Sequence, residues 1–145
     1  MPNELEYLLA SDKQLLATKS TRVVFAKDQK IIQEGAPSKA VYFLREGTAR
    51  VHRNGMNPGA RLATLSAGDI CGEMAFLENV NASASVIADG PVTADAIETA
   101  ILHSIFENFP HLGSRFYRSI ALMLSRRLRE TTKQLSAAHA AKSGS

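Results

Sequence analysis

Asp69-Ile70-Cys71-Gly72-Glu73-Met74-Ala75-Phe76-Leu77-Glu78-Asn79-Val80-Asn81-Ala82-Ser83-Ala84-Ser85-Val86 is the stretch whose reading decides the fold. Apolar, turn-flanked runs lie on both sides of it, and in its middle Gly72-Glu73 opens a segment of one or two helical turns. Glycine lets the backbone approach a ligand closely. The first amides of a helix have no internal partners, so the turn after Gly72 presents donors of the kind that favour phosphate. Glu73 beside them is an acceptor suited to sugar hydroxyls. Small Ser83 and Ser85 then lead into an apolar strand, Val86-Ile87-Ala88.

Upstream of this stretch the pattern is β. Thr21 to Ala26, Lys30 to Gln33, Ala40 to Arg45, Thr48 to Arg53, Arg61 to Leu65 and Asp69 to Cys71 are short β-type runs. They are separated by turn formers such as Gly35-Ala36-Pro37-Ser38, Glu46-Gly47, Asn54 to Gly59 and Ser66-Ala67-Gly68. Downstream, Ala84 to Ala88 and Val92 to Ile97 flank Asp89-Gly90-Pro91. Roughly eight short strands at regular spacing predict a closed or two-sheet antiparallel structure.

Both ends read as helix. Leu5, Leu8, Leu9, Leu15 and Leu16 recur at helical spacing within Asn3 to Thr18, which reads as one helix or as two short helices divided at Ser11-Asp12. A short amphipathic helix, Ala100 to Phe109, is stopped by Pro110. Leu112, Phe116, Ile120, Met123, Leu124 and Leu128 then repeat at three- and four-residue steps, predicting a long helix from about Ser114 to Leu135. The small, polar end, residues 138–145, is expected to be a flexible tail.

Composition agrees with one soluble domain. The chain has 145 residues, long enough to bury a core. One cysteine excludes an intrachain disulfide framework and suits a reducing compartment. No run is apolar enough to span a membrane, and Met1-Pro2-Asn3-Glu4 does not open a signal sequence. A cytoplasmic location without membrane attachment is therefore expected. A net charge of +3 is too mild to argue for nucleic acid. The basic residues of the last helix fall on several faces, without an aromatic platform or recognition helix, so no specific nucleic-acid binding is expected.

The central stretch resembles the phosphate-binding cassette of cyclic nucleotide-binding domains, whose usual form is F-G-E-(L/I/M)-A-L, a loop, then R-(A/S)-A-(S/T/W)-V. Here it reads C-G-E-M-A-F, the loop Leu77 to Asn81, then A-S-A-S-V. Gly35, Gly47 and Gly68 are similar to the family's turn glycines. The resemblance covers residues 3–135. It implies an α+β, mainly β fold: an eight-stranded antiparallel, jelly-roll-like β-roll with an N-terminal helix, a short cassette helix and two C-terminal helices. The expected organisation is a single domain over residues 1–137, with the N-terminal helical part at 3–18, the roll at 21–99 and the C-terminal helices at 100–135.

The resemblance also implies a site. Glu73 would accept from the ribose 2′-hydroxyl, amides near Gly72, Met74 and Ala75 would face the cyclic phosphate, and Ser83 and Ser85 would lie close by. Ala82 stands where the family has its phosphate-pairing arginine. An arginine fork meets phosphate with two charge-assisted hydrogen bonds, each contributing about 1.5–3 kcal/mol. Its loss corresponds to roughly two orders of magnitude in affinity. Arg61 and Arg53 are the candidate substitutes nearby in sequence. Glu73 has a second reading, as a favourable charge at the helix N-terminus.

Three classes of function follow. One is a regulatory, ligand-sensing domain that binds cyclic AMP or cyclic GMP weakly or not at all, or takes an altered ligand. A second is a protein-interaction and dimerisation module without nucleotide. The third, a transcription factor of the catabolite activator type, needs a helix-turn-helix after the long helix, and the sequence ends at Ser145. No nucleophile–base pair or metal-ligand spacing suggests an enzyme. A weakly held cyclic nucleotide is the ligand that the resemblance implies, with an altered ligand or none as the alternatives. A protein partner and a second copy of the chain are the expected macromolecular contacts, with Phe116, Ile120, Met123, Leu124 and Leu128 as dimer seam and ligand lid.

Overall fold

A computed structural model describes residues 5–37 and 39–143. The helix α1 (Ala10–Lys19) is followed by strands β1 (Thr21–Phe25), β2 (Lys30–Ile32), β3 (Ala40–Glu46), β4 (Ala49–His52), β5 (Ala63–Leu65) and β6 (Ile70–Cys71). The short helix α2 (Glu73–Glu78) interrupts the roll before β7 (Ser85–Ala88) and β8 (Val92–Glu98). Helices α3 (Thr99–Asn108) and α4 (Pro110–Ser143) close the order. The strands form two four-stranded antiparallel sheets, β1-β8-β3-β6 and β2-β7-β4-β5. The expected α+β, mainly β roll is the fold observed.

Strand alternation explains the layering. Successive side chains of a strand point to opposite faces. Val41 and Phe43 of β3 therefore join the core shared with the helices. Tyr42 and Leu44 pack instead into the roll interior with Val86, Ala88 and Val92. Ile70 and Cys71 divide between the two cores in the same way. The sheet β1-β8-β3-β6 thus carries helices on one face and the second sheet on the other. At the β3–β4 turn, Gly47 has φ +87° and a Cβ there would lie 2.2 Å from the Pro91 carbonyl oxygen. No other residue fits that approach without displacing the β7–β8 turn.

The helical ends depart from expectation in three places. The N-terminal helical part expected over residues 3–18 is helix only from Ala10: residues 5–9 are turn and irregular chain, and Ser11-Asp12 lies in the first turn of α1, where the Asp12 carboxylate accepts the Leu9 amide at 2.9 Å and the Arg115 guanidinium at 2.6 and 2.8 Å. Asp12 is a first-turn acceptor; Asn3 and Glu4 lie outside the described residues. Pro110 does not merely stop α3 but starts α4, as a proline at the first helical position can. And α4 continues past Leu135 to Ser143, through most of the stretch expected as a tail. Its alanines, Ala137, Ala138, Ala140 and Ala141, are strong helix formers.

The stripe expected as a dimer seam is mostly internal. Phe116, Ile120 and Met123 are buried against Leu5, Leu16, Leu102 and Ile105 of the same chain, and Leu124 packs on that cluster from its edge. Leu128 is the member left outside, 68% exposed. The physical reason is that segment 5–8 lies along α4. Leu5 and Leu8 are buried, the Tyr7 amide donates to Ser119 Oγ at 3.0 Å, Arg118 stands over the Tyr7 ring, and Arg126 pairs with Glu6.

Candidate nucleotide site

A cavity of about 410 Å³ opens between the two sheets and the end of the roll where α2 begins. This volume lies in the range of small-molecule sites, about 300–1,000 Å³. Gly72 caps α2 with φ +85°, and a Cβ there would lie 2.7 Å from the Ala40 carbonyl oxygen. The turn therefore seats α2 tightly against β3. Gly72, Glu73, Met74 and Ala75 line the cavity, as do Ala82 and Ser83 across it. These are the residues the cassette reading brings together. Ser85 is placed elsewhere: it is buried, its Oγ accepts the Glu34 amide at 2.9 Å, and it does not line the cavity. Its work is to tie the β2–β3 loop to β7.

Glu73 is 5% exposed. Burial pushes its pKa up, outweighing its own backbone hydrogen bond and the nearby Arg127 charge. A desolvated carboxyl of this kind gains from any hydroxyl donor that a ligand brings. Cys71, also buried, has its thiol pKa raised, mainly by burial, which keeps it an inert packing group. Tyr42, Val51, Ala63, Leu65 and Ile31 provide the apolar wall behind the cassette.

Neither of the two candidate arginines supplies the cation that the cassette lacks. Arg61 is engaged by Asp89 at 3.0 Å, and neither Arg61 nor Arg53 lines the cavity. Arg127 of α4 does line it, 3.6 Å from Glu73 Oε1 and 3.7 Å from Asp69 Oδ1. From the sequence, Arg127 belongs to a run that looks like a solvated helix face. The signal that could have found it is its place four residues beyond buried Met123, on the core-facing side of α4.

The cassette helix is fastened to α3 and α4 by aromatic packing. Phe76 is 3% exposed and its ring lies 4.8 Å from His103, 6.1 Å from Phe106 and 6.4 Å from both Phe116 and Tyr117. A displacement of α2 is therefore felt by the last two helices. A second hollow, about 500 Å³, lies between α1 and the start of α4, but its buried carboxylate, Asp12, is already forked by Arg115.

The family profile of the cyclic nucleotide-binding domain matches residues 22–109. The chain belongs to that family. Glutaminase 1 of Bradyrhizobium diazoefficiens is 36% identical over 124 residues, covering 86% of this chain and 20% of the glutaminase. The chain thus spans about a fifth of the length of that relative. A cyclic nucleotide-binding domain from Methylobacillus flagellatus superposes with a TM-score of 0.79 at 23% identity, over 88% of this chain and 72% of that one. The regulatory subunit of a cAMP-independent protein kinase A from Trypanosoma brucei superposes with a TM-score of 0.69 at 24% identity, over 82% of this chain and 42% of that one. That structure is of a triple mutant, one of whose changes replaces threonine with arginine, bound to cAMP in the A site. No helix among the described residues is long and apolar enough to cross a membrane.

Proposed function

We propose that this chain is a regulatory, ligand-sensing domain whose pocket binds cyclic AMP and cyclic GMP weakly, because position 82 offers no cation. The observation that carries the reading is the cavity itself, with buried Glu73 on one wall and Ala82 and Ser83 on another. Ligand entry would act on α2 and, through Phe76, on α3 and α4, shifting a pre-existing equilibrium of the helices. The domain would regulate and not catalyse; in the glutaminase the corresponding segment occupies a fifth of the protein, leaving the rest for another activity. Titration calorimetry with cyclic AMP, cyclic GMP and cyclic dinucleotides tests this, and tight binding of either mononucleotide by the native chain refutes it.

Pairing through α4 also belongs to the proposal, with a seam further along than the sequence suggests. From Leu128 to Ala141 every side chain is exposed. Leu128 and Leu135 stand seven residues apart and are 68% and 66% exposed. That spacing puts both on one face of a helix, where a second copy can cover them. A protein partner remains the alternative cover for the same face. The basic residues of α4 give little support to nucleic acid: Arg115, Arg118 and Arg126 are engaged by Asp12, Tyr7 and Glu6.

A further inference from the structure

Expected on several faces, the cations of α4 fall mostly on one. Arg115, Arg118, Arg126, Arg129 and Lys133 lie within an arc of about 80°, at about 100° per residue. They extend over about 27 Å of helix axis. Arg127 is the exception, turned to the cavity. Between positions 115 and 141 the one acidic residue is Glu130. The helix therefore carries a cationic stripe.

The chain itself covers the upper half of that stripe. Asp12 forks Arg115, Arg118 stands over the Tyr7 ring, and Glu6 pairs with Arg126. Glu6 and Tyr7 come from turn and irregular chain, not from a helix. This cover loosens as it runs down α4: the Asp12 side chain is 6% exposed and that of Glu6 is 45% exposed. Among the described residues it ends there. Arg129 and Lys133 are exposed, and no carboxylate among the described residues engages them.

We propose that Arg129 and Lys133, together with the exposed Arg126, dock an acidic, extended segment of a partner protein, laid along α4 as Glu6 and Tyr7 are laid along its upper half. Charge complementarity and continuity with the covered half select this occupant. The stripe already takes carboxylates and an aromatic ring from a polypeptide. Steps of three and four residues put Arg126, Arg129 and Lys133 about 4.5–6 Å apart along the axis. Alternate side chains of an extended chain stand ~7 Å apart, close enough for flexible cations to follow. The surface is separate from the pairing face of α4, because Leu128 and Leu135 point about 120–140° away from the middle of the stripe. A second copy and the acidic segment can thus be held together. An exposed ion pair contributes about fivefold at most, so this docking is weak and screened by salt.

Fluorescence anisotropy tests this with a labelled peptide of alternating glutamate and serine, about eight residues long, which spans the stripe when extended. The native chain should bind it at about 0.01 M salt and release most of it at about 0.15 M. Arg129→Gln combined with Lys133→Gln should weaken binding by about tenfold. Lys19→Gln combined with Lys27→Gln removes the same charge from exposed positions outside α4, and it should change binding less than about twofold. Equal losses for the two pairs mean unspecific attraction and overturn the proposal, as does a native chain that does not bind the peptide at low salt. A single-stranded oligonucleotide or phosphatidylserine vesicles that bind more tightly, and lose binding in the α4 double variant, give the stripe to phosphate and also overturn it. So does a gain in peptide affinity on Glu4→Gln, which assigns the surface to the chain's own first residues.

Discussion

Replacing Ala82 by arginine should raise cyclic AMP affinity by at least about 100-fold, and the structure shows why one side chain can do so. The backbone at this position is already fixed: the Ala82 amide donates to the Ala36 carbonyl at 2.9 Å, and its own carbonyl accepts the Gly35 amide at 2.8 Å. Ala82 lines the cavity and is only half-buried, so a longer side chain enters the cavity instead of the core. A fork to phosphate adds two charge-assisted bonds of about 1.5–3 kcal/mol each. Ordering the arginine costs about 2 kcal/mol of rotamer entropy, leaving roughly 1–4 kcal/mol from the fork alone. The ~2.7 kcal/mol that corresponds to 100-fold lies in the upper half of that range. Calorimetric titration of both proteins with cyclic AMP measures the ratio directly, with thermal unfolding as the control for folding. A native chain that binds at micromolar concentration or tighter, with no gain in the variant, refutes the reasoning and means that another cation already does this work.

Gly72→Ala should lower the unfolding midpoint by several degrees, because the new Cβ meets the Ala40 carbonyl oxygen at 2.7 Å and the left-handed backbone adds about 1–2 kcal/mol; an unchanged midpoint would show that α2 shifts freely against β3. Glu73 has a raised folded-state pKa, so the native state holds its proton longer than the unfolded one and stability falls as pH rises from the ordinary glutamate range through the raised value. Glu73→Gln should therefore match the native protein at low pH and exceed it in denaturant midpoint above that window; parallel pH curves for the two proteins would contradict this. Leu128→Glu should abolish self-association in light scattering without lowering stability, since Leu128 is exposed in the single chain; if the native chain is already monomeric at high micromolar concentration, the α4 face serves a different partner.

Strand existence, turn positions and the cassette were legible in the sequence because each depends on local constraints. The alternation of Val41, Tyr42, Phe43 and Leu44 has a period that only a strand between two apolar layers satisfies. Gly47 and Gly72 occupy backbone conformations that other residues resist, so a glycine marks each turn wherever the rest of the chain goes. The grouping of Glu73, Ala82 and Ser83 could be expected from the cassette pattern, and they do share one cavity.

Tertiary structure alone decided what covers α4 and which of its arginines meets the site. An apolar stripe states that a helix face must be covered, but not by what. Here segment 5–8 and the roll cover Phe116, Ile120 and Met123, while Leu128 and Leu135 are left exposed. Consecutive residues of a helix point about 100° apart, so Arg126 and Arg127 cannot serve the same neighbour. Which of them turns to Glu6 and which to Glu73 depends on the rotation of α4 about its own axis. That rotation is set by burial of Phe116, Ile120 and Met123 against residues up to about a hundred positions away in the chain, a contact that no local pattern encodes.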